Sequence, residues 1–328
     1  MLFAVLFFLA GLGLLIGGAN LIVHGASRVA TLLGVPPMVI GLTIVAIGTS
    51  TPELAVSISS GLKGNGGLGV GNVAGANLFV MLVVVGISAL WRPLHLHMQV
   101  FKLELPMIVI AALLMTALAW DGNLSRLDGC IMLCGGLTYT GLLFSMTRKA
   151  SAATKKEFGH EYGPQTVPAA RPRWPIQLGY AAMLIAGIAF TVIGSDLLVK
   201  GAVSIAEWLG VSAALIGLTI VAFGTSSPEL VTTIVSTYKG DREVAVGNIM
   251  GSGVYNILVI LSIACIVTPG GLPVDRDLLS FDIPLMAGVA LGAIPVFLTG
   301  KKISRVEGAL GIAIYMVYLL WLAFFRPV

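Results

Sequence analysis

The chain has 328 residues, of which 57% are hydrophobic and only 10% are charged, and its formal net charge is +4. Soluble globular domains carry about 25% charged residues, so this composition excludes an ordinary soluble protein and predicts an integral membrane protein. The excess of Lys and Arg does not indicate a nucleic-acid partner, because in a membrane protein it mainly reports orientation.

Long apolar runs recur at the length of about 20 residues that a helix needs to cross a bilayer. We predict an all-α membrane protein with ten transmembrane helices in two sets of five. The first set is 2–23, 36–62, 67–90, 104–119 and 127–147, and the second is 175–199, 212–237, 244–267, 279–299 and 304–325. Residues 1–147 are thus the first repeat, residues 148–174 a linker too short to fold as a domain, and residues 175–328 the second repeat.

The positions of the positive charges predict the orientation of the chain. Fourteen of the 19 Lys and Arg residues fall in the loops after spans 1, 3, 5, 7 and 9. By the positive-inside rule these loops and the linker are cytoplasmic, and both termini face outward. Because five is an odd number, the second repeat enters the membrane inverted, as in secondary transporters. We expect the protein in the cytoplasmic (inner) membrane of a bacterium.

Spans 2 and 7 contain a duplicated motif. The sequence GLTIVAIGTSTPEL at 41–54 returns as GLTIVAFGTSSPEL at 217–230, with twelve of fourteen positions identical at a shift of 176. Pro52 and Pro228 lack a backbone N–H, so each span is predicted to break there into two half-helices. Each copy also places a glutamate, Glu53 or Glu229, at bilayer depth, where a charge is expensive and indicates function.

Spans 3 and 8 begin with GNVAGANLFV at 71–80 and GNIMGSGVYN at 247–256. The glycines have the small-xxx-small spacing that lets helices pack closely in lipid. Packing does not explain the polar residues in the same stretches, Asn72, Asn248, Ser252 and Asn256. These side chains add oxygen atoms to the region of the two breaks.

Two carboxylates beside hydroxyls and freed carbonyls form a cluster of hard oxygen donors. Calcium prefers six to eight such oxygens, whereas zinc and soft metals prefer thiolate or imidazole ligands, which are missing from the motif. Ser50-Thr51-Pro52-Glu53 and Ser226-Ser227-Pro228-Glu229 also match a capping box with proline in the first turn. Glutamine would cap a helix without the cost of a charge, so we expect a cap and an ion site together; the hydroxyls alone are compatible with either role.

These motifs identify a family resemblance that covers nearly the whole chain. With GTSxPE in spans 2 and 7 and GN at the starts of spans 3 and 8, the sequence resembles the sodium/calcium exchangers of the cation/calcium antiporter superfamily. The resemblance implies exchange of calcium for sodium by alternating access at one central site, with no enzyme activity, no cofactor and no obligate protein partner. Calcium, sodium and membrane lipid are then the expected partners. The candidate cation ligands are Glu53, Glu229, Thr49, Thr225, Ser50, Ser226, Ser252 and Asn256.

The first repeat departs from the family pattern. Where the family usually reads GSNxxN, this chain has Ala76 and Val80 in place of the serine and the second asparagine. The second repeat keeps Ser252 and has Asn256 where several relatives carry aspartate. The loss of two polar groups leaves two alternatives open: a proton-coupled antiporter for calcium or another divalent cation, and a relative that does not transport. A channel is disfavoured because two fixed charges would hold ions too tightly for conduction.

Other acidic residues are predicted to lie outside the site. Asp196 aligns with Asn20 of the first repeat, and we expect these two side chains to pair between the repeats. Glu104, Asp282 and Glu307 lie near span ends, where we expect water to reach them.

Overall fold

The computed structural model describes residues 1–95, 103–149, 174–210, 222–298 and 302–325. Most of the predicted linker, residues 150–173, and the start of predicted span 7, residues 212–221, lie outside the described residues. Nearly all of the described chain is helical. The helices before the linker are α1 (Leu2–Leu33), α2 (Pro37–Thr49), α3 (Thr51–Leu62), α4 (Gly66–Trp91), α5 (Leu105–Asp121) and α6 (Arg126–Lys149).

The helices after the linker follow a similar order. They are α7 (Trp174–Trp208), α8 (Ala222–Thr225), α9 (Ser227–Lys239), α10 (Arg242–Val267), α11 (Ile283–Leu298, after a π-helical turn over Leu278–Asp282) and α12 (Arg305–Phe325). Four two-residue strands join the ends of helices: β1 (Leu94–His95), β2 (Asn123–Leu124), β3 (Leu272–Pro273) and β4 (Lys302–Ile303). β1 pairs with β4 and β2 with β3, both antiparallel, so each pair joins the chain before the linker to the chain after it.

The helices are those of an integral membrane protein. Among the described residues, seven helices are long and apolar enough to cross a bilayer, and the number is eight if the bent pair α2 and α3 forms one span. Helix α5 is apolar but shorter. The described helices overlap the predicted apolar runs, although α1 and α7 extend beyond them. The arrangement as ten spans in two inverted repeats remains a prediction.

The chain bends at the first duplicated motif. Helices α2 and α3 meet at Ser50 with a bend of 40°, and Pro52 lies in the first turn of α3, where its missing N–H costs no helical hydrogen bond. Helices α8 and α9 are likewise separated by the single residue Ser226, with proline in the first turn of α9. Both breaks therefore form where the prolines predicted them.

Helices α1 and α7 pack along a line of glycines. A Cβ atom at Gly18 would lie 2.7 Å from the carbonyl oxygen of Gly187, and one at Gly194 would lie 2.8 Å from that of Gly11. Gly11 thus opposes Gly194 while Gly18 opposes Gly187, so the two helices run antiparallel with their backbones in contact. No side chain fits between them.

Close contact also brings α10 against α2. A Cβ atom at Gly247 would lie 2.5 Å from the carbonyl oxygen of Met38, and one at Gly251 would lie 2.3 Å from that of Leu42. The glycines of the GN motif in α10 therefore serve helix packing, as their spacing predicted. The same packing brings the polar face of α10 close to the break after Thr49.

Two expectations about acidic residues are wrong. Asp196 does not pair with Asn20: its exposed carboxylate forms an ion pair of 2.6 Å with Lys200 on the same helix, and Asn20 donates to the carbonyl of Ile16. Alignment of the repeats matches positions, but it does not fix which helix face meets a neighbour. Glu104 and Asp282 are not reached by water: they are buried, at 0% and 2% exposure, and accept hydrogen bonds from Tyr139 and Tyr318 respectively.

The glycine contact gives a test with an adjacent control. Gly18→Ala should destabilise the protein by about 1–3 kcal/mol, because its methyl group would force the backbones of α1 and α7 apart. Gly17→Ala should leave stability unchanged, since a Cβ there meets nothing within 4 Å. Thermal unfolding in detergent measures both, and equal melting temperatures for the two variants would contradict the close packing.

Candidate cation site

The two duplicated glutamates occupy equivalent places in the structure. Glu53 lies in the first turn of α3 and Glu229 in the first turn of α9, and their exposed fractions are 0% and 1%. The N-terminal end of a helix carries partial positive charge from unpaired N–H groups. Each break therefore supplies a favourable position for a carboxylate that water cannot reach in this conformation.

Serine hydroxyls connect the two glutamates across the breaks. Ser50 Oγ donates to Glu229 Oε1 at 2.9 Å, and Ser226 Oγ donates to Glu53 Oε1 at 2.9 Å. Each serine thus bonds to the glutamate of the other break, and the two bonds are related by the sequence shift of 176. Both carboxylates are held together at the junction of the four half-helices.

The crossed bonds replace the predicted capping boxes. Neither Ser50 nor Ser226 makes a side-chain hydrogen bond to the helix it precedes. A capping residue usually has extended backbone angles, whereas Ser50 has φ −81° and ψ 11° and Ser226 has φ −90° and ψ 10°. With the backbone nearly helical through the break, the hydroxyls reach the opposite carboxylates and form charge-assisted bonds instead.

The threonines of the motif contact asparagines of neighbouring helices. Thr49 Oγ1 lies 3.2 Å from Asn248 Oδ1 on α10, and Thr225 Oγ1 lies 3.5 Å from Asn72 Oδ1 on α4. Asn248 also donates from Nδ2 to the carbonyl oxygen of Glu229 at 3.3 Å and to Thr233 Oγ1 at 3.1 Å. These asparagines hold the breaks against α4 and α10.

The carbonyls that the prolines free are satisfied within the protein. Thr51 Oγ1 donates to the Gly48 carbonyl at 2.7 Å. Ser195 of α7 and Ser227 donate to the Gly224 carbonyl at 2.6 and 2.7 Å. The carbonyls of Gly48 and Gly224 thus already have donors.

Ser252 and Asn256 continue the polar face of α10. Residues 248, 252 and 256 are spaced by four, which places them on one side of the helix, and a π-helical turn begins at Asn256. Such turns often mark functional sites. The equivalent positions on α4 are Ala76 and Val80, which are buried and apolar. Beyond the equivalent pair Asn72 and Asn248, the polar face of the site is therefore one-sided.

Four oxygens of the candidate ligands are buried and have no hydrogen-bond donor. They are Glu53 Oε2, Glu229 Oε2, Ser252 Oγ and Asn256 Oδ1. Buried polar atoms are nearly always paired, so carboxylate oxygens without a donor indicate a ligand. Among the described residues, no three His, Cys, Asp or Glu side chains form a cluster. The available donors are hard oxygens, which suit sodium and calcium better than soft metals.

The sequence interpretation did not assign site roles to three asparagines that the structure connects to it: Asn72, Asn77 and Asn248. Asn72 and Asn248 were visible as polar residues in the GN motifs. Asn77 accepts a hydrogen bond from Asn256 Nδ2 at 3.3 Å, and this contact joins residues 179 positions apart. Sequence spacing alone carries no signal for such a pair.

Comparison with known proteins places these features in a family. Residues 3–144 and 179–324 match the family described as sodium/calcium exchanger protein. The chain is 36% identical over 323 residues to a putative antiporter, CaxA, of Alkalimonas amylolytica, covering 97% of this chain and 98% of that protein. It is 31% identical over 328 residues to the inner membrane protein YrbG of Escherichia coli K12, covering 98% and 97%.

A third relative and a solved structure carry exchanger names. The sodium/calcium exchanger MaX1 of Methanosarcina acetivorans is 31% identical over 344 residues, covering 96% of this chain and 97% of that protein. The sodium/calcium exchanger of Methanococcus jannaschii superimposes with a TM-score of 0.79 at 27% identity, covering 97% of this chain and 98% of the other. The family and the fold are those of transporters and not of enzymes, and the chain belongs to the sodium/calcium exchanger family of cation antiporters.

Proposed function

We propose that the protein exchanges calcium for sodium across the membrane by alternating access at the site between the two breaks. The observation that carries this proposal is the pair of crossed serine–glutamate bonds, which hold one oxygen of each carboxylate and leave the other without a donor. Two adjacent carboxylates whose second oxygens have no donor favour a cation as the ligand.

Electrostatics explains why such a site would exchange ions rather than release them alone. Moving a carboxylate from water into a protein interior costs several kcal/mol if it is not compensated. Glu53 and Glu229 together carry a charge near −2, which one calcium ion or two sodium ions neutralise. In an empty site only the serine hydroxyls and the helix ends compensate the two charges, so movement between the two membrane faces is more favourable when cations occupy it.

Alternating access requires a route to each side of the membrane in turn. Both glutamates are buried in this conformation, as an occluded state of the proposed cycle requires. Inverted repeats give a simple basis for the two routes, since the same movement in each half opens opposite sides. We therefore propose the ten-helix arrangement with repeats 1–147 and 175–328, the linker in the cytoplasm and both termini outside.

Reciprocal contacts support that arrangement. The Ser50–Glu229 and Ser226–Glu53 bonds exchange under the shift of 176, and so do the Gly11–Gly194 and Gly18–Gly187 contacts. A two-fold axis between the halves produces this kind of reciprocity. The distribution of Lys and Arg then assigns the linker to the cytoplasmic side and both termini to the outer side.

The one-sided polar face supports a second candidate for the coupling ion. On α10, Ser252 and Asn256 offer oxygens without donors, while Ala76 and Val80 on α4 offer none. Fewer oxygens leave less coordination for several sodium ions at once. Protons need no such coordination, because two carboxyl groups bind them directly, and proton-coupled calcium antiport is therefore the alternative.

Removing one carboxylate should abolish exchange. Glu53→Gln and Glu229→Gln are each expected to lower calcium affinity roughly 100-fold or more, since removing one partner from a buried charge interaction costs about 3–5 kcal/mol. Calcium uptake into sodium-loaded proteoliposomes measures transport, and stabilisation of purified protein by calcium measures binding. Asp196→Asn, which alters an exposed ion pair, is the control and should transport normally; wild-type uptake by Glu53→Gln would refute the site.

The coupling ion can be identified with gradients alone. With sodium coupling, calcium uptake rises with an outward sodium gradient and does not respond to a pH gradient imposed without sodium. Uptake driven by the pH gradient alone would favour the proton-coupled alternative, and uptake insensitive to either gradient would contradict antiport altogether.

Restoring the missing oxygens should change sodium dependence. The double substitution Ala76→Ser and Val80→Asn gives α4 the polar groups that α10 has at the equivalent positions, so calcium uptake should depend more steeply on sodium. Ala76→Ser alone serves as the milder intermediate. An unchanged sodium dependence in a folded, calcium-transporting double variant would show that these two positions do not form part of a sodium site.

A further inference from the structure

Asn77 lies on α4 and contacts Asn256, one of the candidate ligands. Its side chain is buried, with 3% exposure, and it is absent from the candidate ligands. The internal repeat gives it no polar equivalent, because the position 176 residues later is Gly253. An unrepeated buried amide needs its own explanation.

The backbone of α10 fixes the orientation of the Asn77 amide. Asn77 Nδ2 donates to the carbonyl oxygen of Gly253 at 3.3 Å, and a carbonyl oxygen can only accept. The opposite orientation would bring the Asn77 oxygen against the Gly253 oxygen, two acceptors without a proton between them. Asn77 Oδ1 therefore faces Asn256.

That orientation determines the next amide in turn. Asn256 Nδ2 donates to Asn77 Oδ1 at 3.3 Å, because an acceptor at that position requires a donor. The Asn256 amide has one oxygen and one nitrogen, so its Oδ1 points away from Asn77, where it is buried without a donor. This is one of the four oxygens of the candidate cation site.

We propose that Asn77 is a positioning residue that selects the cation-binding orientation of Asn256. A reversed Asn256 amide would present its N–H2 group, with partial positive charge, toward the cation and would weaken binding. Groups that orient a metal ligand in this way typically affect metal affinity 10- to 100-fold. The inference rests on the proposed function, since it assumes that Asn256 Oδ1 contacts the transported ion.

The surroundings of Asn77 also favour this orientation of its amide. Met286 Sδ lies 3.7 Å from Asn77 Nδ2, and a small cavity next to the amide is lined by apolar residues that include Met81, Ile108 and Ile257. A thioether is only a weak acceptor. The Gly253 carbonyl is thus the strong acceptor that determines the orientation of the Asn77 amide. Because Gly253 has no side chain, the amide can approach this carbonyl closely.

A double-mutant cycle tests the positioning role. Asn77→Ala should lower calcium affinity 10- to 100-fold in the wild-type background, because Asn256 is then free to reverse. In the Asn256→Asp background the same change should cost less than about threefold, or raise affinity, because a carboxylate presents oxygen to the cation in either orientation and its other oxygen meets the acceptor Asn77 Oδ1. Calcium affinity is measured by equilibrium binding to the purified full-length protein.

Three further measurements make the outcome decisive. Ser88→Ala removes a buried hydroxyl from the same helix and should leave affinity unchanged. Asn77→Leu keeps a side chain branched at Cγ in these apolar surroundings and replaces Asn77→Ala if that variant does not fold. Melting temperatures without calcium separate folding from binding.

The possible failures are distinguishable. An equal loss of affinity in both backgrounds would mean that Asn77 acts through packing, which overturns the positioning role and leaves the cation site intact. No calcium binding by the wild-type protein would overturn the proposed function, and this inference with it.

Discussion

Two carboxylates without water around them are the constraint on which the rest of the structure depends. The interior cannot hold Glu53 and Glu229 unless donors, helix ends or cations compensate their charges. The broken helices place each carboxylate in the first turn of a helix, and the serine of the opposite break occupies one oxygen of each. Close glycine packing of α2 and α10 then surrounds this junction with protein instead of lipid.

Local chemistry made much of the fold predictable. The apolar runs predicted the described helices to within a few residues, except that α1 and α7 continue about ten residues beyond the predicted spans. The prolines predicted both breaks, because a missing N–H acts within one helical turn. The capping boxes failed for the opposite reason. Their pattern is local, but the serine hydroxyls bond to glutamates 179 and 173 residues away, and no local pattern encodes that choice.

The internal repeat predicts equivalent positions but not equivalent surroundings. Asp196 and Asn20 align, yet the structure leaves Asp196 exposed beside Lys200. Asn77 aligns with a glycine and bonds to Asn256, which itself aligns with a valine. Duplication thus supplies a symmetric frame, but at the positions equivalent to Ala76 and Val80 of α4 only α10 has polar side chains, Ser252 and Asn256.

The crossed bonds also connect the two breaks mechanically. While Ser50 holds Glu229 and Ser226 holds Glu53, neither break can move without displacing a carboxylate of the other. Any such displacement would change the coordination of a cation bound between the other two carboxylate oxygens, Glu53 Oε2 and Glu229 Oε2. Under the proposed exchange, access to the site and affinity for the ion would then change in one movement.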